Sequence, residues 1–176
     1  MSSLSKGLGK VQVTLKWDPS ALGTAATDLD LVAATYRADA PHGSPAYLVH
    51  FGSRSPDGTI TLNRDSKTGQ GFGPDEVMTL ELDRLADEYT RVVIGVVIQQ
   101  HGSERVFGDI ANTGVRILDG HVELAADDLS GVPGATAATI AEFTRDGSGA
   151  WRLRTAVRGF VAGPAEFSDL MGAAHA

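Results

Sequence analysis

The sequence predicts an all-β fold, a β-sandwich of two packed antiparallel sheets with one or two short helices, and three observations point to it. Apolar and polar residues alternate with period two along most segments, as in Val11, Val13, Leu15 and Trp17 against Gln12, Thr14 and Lys16. Turn-forming sequences punctuate those segments at short intervals. Helical periodicity is confined to Asp83–Tyr89 and Pro164–Met171, too little for a βαβ alternation.

Ten strands are expected. The first carries the Val11 to Trp17 alternation, and the others span Asp28 to Tyr36, Tyr47 to Phe51, Thr59 to Leu62, Val77 to Leu82, Arg91 to Gln99, Gly114 to Leu118, Val122 to Leu124, Ala137 to Thr144 and Trp151 to Phe160. Pro56-Asp57-Gly58, Asp119-Gly120 and Asp146-Gly147-Ser148-Gly149 supply residues that accept positive φ or bond their own backbone, so each is expected to close a hairpin. Val92-Val-Ile-Gly-Val-Val-Ile98 is apolar throughout, far short of the ~20 residues of a membrane-spanning helix, and reads as a buried central strand. Trp17, Tyr47, Phe51, Phe107, Phe143, Trp151 and Phe160 lie in or beside such strands and are expected in the core.

The 176 residues show no internal repeat, and their loops are too short to be domain linkers, so a single domain is expected over 1–176. Cysteine is absent, which removes disulfides and thiolate metal sites and suits a reducing, cytoplasmic setting. The N-terminus has no apolar stretch behind its basic residues, so it does not read as a secretory signal, and no direct membrane insertion is expected. A net charge of −7 lacks the basic footprint that a phosphate backbone requires, so nucleic acid is not an expected partner. Arg152, Arg154 and Arg158 share one face of the last strand and read as a solvated face.

The chemistry concentrates in carboxylates. Asp28 and Asp30 are two residues apart in a predicted strand, so they project from one face about 7 Å apart while Leu29 and Leu31 point the other way. Alone, the pair reads equally well as a solvated outer face. A polar loop from Asn63 to Glu76 then adds Asp65, Asp75 and Glu76 at its ends, with glycines at 69, 71 and 73 that let the backbone turn and aim carbonyl oxygens inward. Hard oxygen ligands in an adaptable loop suit Ca²⁺ and not Zn²⁺, which favours His or Cys. Should the two acidic groups meet, a cation would relieve a repulsion that otherwise forces protonation or opening of the loop.

At these residues the chain resembles the TerD family of tellurium-resistance and stress-response proteins. The resemblance rests on Leu4-Ser-Lys-Gly7, Trp17-Asp18, Asp28-Leu-Asp30, Ser55-Pro-Asp-Gly58, the loop Asp-x-x-Thr-Gly-x-Gly-x-Gly-x-Asp-Glu from Asp65 to Glu76, Phe107-Gly108 and the strand from Trp151 to Gly159. It implies a Ca²⁺-binding β-sandwich with no enzymatic activity, working in the cytoplasm with other TerD-family proteins and membrane-associated Ter proteins. Carried over by position, the metal ligands would be Asp28, Asp30, Asp65, Thr68, Gly69, Gln70, Asp75 and Glu76.

The loop departs from the family pattern. Ser66 stands where Asn is usual, Gln70 where Glu is, and Phe72 and Pro74 where Asp is, so one Ca²⁺ is expected where the family can hold two neighbouring ions. Loss of the site is expected in Asp28→Asn or Asp75→Asn. The N-terminal segment also leaves little room for the family's first hairpin, which predicts an exposed sheet edge there.

Other chemistries fit less well. A glycosidase pair needs one carboxyl in an apolar setting, which this glycine-rich loop does not offer. There is no Gly-x-Ser-x-Gly elbow, no His-Glu-x-x-His among histidines 42, 50, 101, 121 and 175, and no Lys-Ser or Lys-Thr after Gly73 to make a phosphate loop. The alternative kept open is a Ca²⁺-dependent, lectin-like module that binds a sugar or peptide.

Overall fold

A computed structural model describes residues 7–66, 68–70, 73–100 and 104–173. Ten strands run in chain order: β1 (Lys10–Lys16), β2 (Asp28–Arg37), β3 (Tyr47–Val49), β4 (Ile60–Arg64), β5 (Glu76–Glu81), β6 (Tyr89–Gln99), β7 (Gly114–Asp119), β8 (Val122–Asp127), β9 (Ala137–Arg145) and β10 (Trp151–Phe160). Helix α1 (Pro164–Leu170) follows. The strands form two five-stranded antiparallel sheets, β4-β5-β1-β7-β8 and β10-β9-β6-β2-β3.

The core between the sheets is built from the alternating positions. Val11, Val13 and Leu15 of β1 and Met78 and Leu80 of β5 face Leu29 and Leu31 of β2 and Val92, Ile94, Val96 and Ile98 of β6. The apolar run of β6 does not alternate because both of its faces are covered. Val93 and Val97 point outward and join Val32, Ala34 and Tyr36 of β2 beneath Phe167 and Met171 of the C-terminal segment. Gly95 makes this packing possible, since a Cβ there would lie 2.6 Å from the Phe167 ring.

A buried ion pair secures the outer layer. The Arg91 Nε donates to Glu142 at 2.8 Å, and its Nη1 donates to the carbonyls of Pro41 and Gly172, tying the 38–46 loop and the C-terminal segment to the sheet.

Several expectations are corrected. The Asp83–Tyr89 segment holds only a 3₁₀ turn at Leu82–Arg84, because Leu82 and Leu85 both anchor in the core and Leu85 is already extended. The turn at Pro56-Asp57-Gly58 forms, with the Asp57 carboxylate accepting from the Thr59 amide and hydroxyl, but it joins β3 to β4 in the opposite sheet and closes no hairpin. Local turn chemistry sets a reversal and not the pairing partner. Asp119-Gly120 and Asp146–Gly149 do close the β7–β8 and β9–β10 hairpins.

β1 is flanked by β5 and β7, so no edge is exposed where the short N-terminal segment predicted one. Phe51 is not in the core: it lies in the tight turn after β3, where His50 and Ser53 exchange backbone hydrogen bonds, and is 53% exposed. Of the basic face on β10, Arg152 pairs with Asp146, Arg154 with Glu142, and Arg158 stacks over Phe160.

Candidate metal centre

The acidic site lies where β2 outruns its neighbour. β3 pairs only with Ala33–Thr35 of β2, so the segment that begins at Asp28 has no strand on that side. Its exposed backbone is met by Glu76, which opens β5 in the other sheet. Glu76 shares the inward row of Met78 and Leu80 and reaches across the sandwich, and its Oε1 accepts the Leu31 amide at 2.8 Å. Asp28 and Asp30 come to the same place from the outer row of β2.

Carboxylate oxygens of Asp28, Asp30 and Glu76 thereby converge within 4.8 Å of one another. All three residues are buried, at 5%, 2% and 0% exposure. The solvated-face reading of Asp28 and Asp30 is thus excluded.

Burial and mutual repulsion make this arrangement costly for a chain alone. Burial, and then the neighbouring Asp28, raise the pKa of Asp30 to about 6. Burial pushes that of Glu76 up to about 11, with Asp30 and Asp65 adding to the rise. With both groups ionised, Asp30 Oδ2 and Glu76 Oε2 are buried with no donor beside them, and the two side chains bond each other only while one keeps its proton. A divalent cation in place of that proton would satisfy these oxygens and relieve their repulsion. Oxygens that share one Ca²⁺ at its usual roughly 2.3–2.6 Å can stand no more than about 5.2 Å apart, and these lie within 4.8 Å of one another. Three carboxylates leave room for further oxygens, since Ca²⁺ takes about 6–8.

The remaining sequence-predicted residues occupy different places. Asp65 is exposed and is not one of the converging trio, and its charge adds to the upward shifts of Asp30 and Glu76. Asp75 is fully buried but stands outside the trio. Its Oδ2 accepts the Trp17 amide at 2.8 Å and its own amide donates to Leu15, so it extends the β1–β5 ladder past its last strand pair, while Oδ1 stays buried and unbonded.

Thr68 accepts the Gln70 amide, Ser66 Oγ accepts the amides of Thr68 and Gly69, and Gln70 is exposed. Gly69, at φ +75°, lies against Trp17, where a Cβ would come within 2.5 Å of the indole nitrogen. That nitrogen donates to the Thr27 carbonyl, so one tryptophan holds both the loop and the strand that bears Asp28. Pro74 is exposed, and Phe72 lies outside the described residues.

Two residues that sequence reasoning missed support the trio. The Arg105 guanidinium bonds the Thr27 hydroxyl and the Ala25 carbonyl, bracing the approach to Asp28. Gln99 sits opposite Asp28 in the β2–β6 register and its side chain bonds Asp30. Only the strand register reveals Gln99, and nothing in the chain marks Arg105.

Comparison with known proteins identifies the fold and its relatives. The tellurium resistance protein TerD of an Alcaligenes species is 28% identical over 170 residues, covering 93% of this chain and 87% of that protein. The stress response protein SCP2 of Bacillus subtilis is 29% identical over 157 residues, covering 81% and 79% respectively. The crystal structure of SAV2460, a protein of unknown function, superposes with a TM-score of 0.94 at 56% identity, covering 97% of this chain and all of that one. A homologue of the telluride resistance protein TerD, SCO6318 from Streptomyces coelicolor A3(2), gives 0.93 at 54% identity, covering 96% of this chain and all of that one. The TerD domain model matches residues 1–169, nearly the whole described sandwich and its acidic site, and the chain belongs to the TerD family.

Proposed function

We propose that this chain is a non-enzymatic Ca²⁺-binding protein that serves tellurite and general chemical stress resistance in the cytoplasm. It holds one strong ion at Asp28, Asp30 and Glu76, with Asp65 completing the site from the loop. The observation that carries this reading is the convergence of three buried carboxylates, those of Asp28, Asp30 and Glu76, within 4.8 Å of one another. A catalytic pair would need a substrate between its carboxyls, whereas these oxygens lie close enough to share a single ion.

The stress role is supported by the names of the relatives, tellurium resistance protein and stress response protein. Other TerD-family proteins and membrane-associated Ter proteins are its proposed partners. Among the described residues no helix is long and apolar enough to cross a membrane, so contact with a membrane complex would run through such partners.

Calorimetric titration of metal-stripped protein with Ca²⁺, with a thermal melt beside it, tests the reading. One tight site is expected, with a stabilisation of about 2.7 kcal/mol at 100 times the dissociation constant. No heat and no melting shift at millimolar Ca²⁺ would overturn it.

A further inference from the structure

Beside the carboxylate trio, on the outer face of the β2–β6 sheet, lies an open cleft of about 560 Å³ between the His50–Ser53 turn and helix α1. Asp30 belongs to both places: it is one of the three converging carboxylates and it lines the cleft. It is 2% exposed, so the trio and the cleft are separated by this one buried residue.

The other walls have the make-up of a small-ligand site, mostly apolar with a few polar groups. Val32 and Val97 form the floor, and Phe51 stands over it on one side. Phe51 is among the few large apolar side chains exposed in the described residues, and its ring leans on His50 with centroids 5.5 Å apart. The rim is polar. The Gly52 amide donates to His50 Nδ1 and burial holds the ring below its usual pKa, so the neutral imidazole keeps its proton on Nε2 as a donor. Gln99 offers both a donor and an acceptor, and Asp169 an acceptor.

No lysine or arginine lines this cleft. An anionic ligand would therefore meet Asp169 with no basic side chain to offset it. A ligand with paired donors and acceptors, an apolar face for Phe51 and neutral oxygens to turn toward Asp30 fits every wall. Hydroxyl-bearing sugar rings have these three properties together, since their C–H faces stack on aromatic rings and their hydroxyls both donate and accept.

We propose that this cleft is a Ca²⁺-dependent binding site for a neutral saccharide, with Phe51 as the stacking platform and His50, Gln99 and Asp169 as the hydrogen-bonding rim. The inference rests on the Ca²⁺ reading above, because an ion held by Asp30 would fix the wall that the two places share.

The test is a glycan array carrying neutral, acidic and amino sugars, probed with the full chain in millimolar Ca²⁺ and again in EGTA, with wild type and Phe51→Ala. Retention of neutral saccharides in Ca²⁺ is expected, lost in EGTA and weakened about tenfold in Phe51→Ala. Phe51 is exposed and is not among the residues proposed to hold the ion, so Phe51→Ala is expected to bind Ca²⁺ as wild type does. Absence of retention, retention that ignores Ca²⁺ or Phe51, or retention confined to acidic or amino sugars would overturn the proposal. A wild-type chain that gives Ca²⁺ binding heat but retains no glycan refutes the cleft alone. A chain that gives no Ca²⁺ heat refutes the metal reading beneath it.

Discussion

Replacing Asp30 with asparagine should stabilise the metal-free protein and weaken the Ca²⁺-loaded one, an inversion that a purely structural carboxylate would not produce. Burial and Asp28 raise the Asp30 pKa from 3.8 to about 6. At about 1.4 kcal/mol for each tenfold change in acidity, the ionised group costs the metal-free fold roughly 2–3 kcal/mol at neutral pH. Asparagine keeps the shape, and its amide oxygen still accepts from Gln99. Most of that cost should therefore be recovered, raising the melting temperature of metal-free protein by about 4–8 °C, since each kcal/mol moves a domain of this size by about 2–4 °C. Wild type gains about 2.7 kcal/mol from Ca²⁺ at 100 times its dissociation constant, or about 5–11 °C. The asparagine variant should lose most of this gain, so that the order of the two proteins reverses between EGTA and saturating Ca²⁺. Differential scanning calorimetry in both conditions reads this directly. A variant less stable than wild type in EGTA, or one with an undiminished Ca²⁺ shift, would refute the reasoning.

Three further outcomes follow from the same geometry and its surroundings. Asp30 and Glu76 both have folded pKa values raised above their ordinary 3.8 and 4.5, so their contribution to metal-free stability is full below those values. It is lost as pH rises through about 6 for Asp30 and onward toward about 11 for Glu76; Ca²⁺ should cancel the decline and release protons on binding, measurable by calorimetry in buffers of different ionisation enthalpy. Asp75→Asn keeps an oxygen for the Trp17 amide, so a fold close to wild type is expected. Its Ca²⁺ titration then decides whether Asp75 is a ligand through its unbonded Oδ1, with affinity lost, or a lock on β1, with affinity kept. Gly95→Ala would drive a methyl to 2.6 Å from Phe167 and should cost about 1–3 kcal/mol by lifting α1 off the sheet, read as faster hydrogen exchange over 163–173 with Ca²⁺ affinity unchanged.

The fold was legible because its strands follow the period-two rule, and the exceptions have physical causes. β6 gives no alternation because α1 covers its outer face, and that cover is signalled only by a short segment after Pro164. The Asp57 turn was legible as a turn but not as a crossover, because the stop of β3 at Val49 and the start of β4 in the other sheet are tertiary facts. Phe51 read as core because a sequence cannot show that its strand ends two residues earlier.

The carboxylate site illustrates the same boundary from the other side. Spacing places Asp28 and Asp30 on one face, and the polar, glycine-rich loop from Asn63 to Glu76 supplies Asp65, Asp75 and Glu76, but neither says which carboxylates converge. The short length of β3 decides it. Were β3 to continue along β2, its backbone would take the Leu31 amide and Glu76 would have no reason to cross the sandwich. Because β3 stops, the open edge draws one oxygen of Glu76 onto an amide and leaves the other beside two aspartates. Asp75, one residue earlier, points to the opposite side of its strand and serves the Trp17 amide instead. The missing strand segment thus sorts adjacent acids into different duties, and a chain in which β3 reached Leu31 would be expected to lose the trio while keeping all its carboxylates.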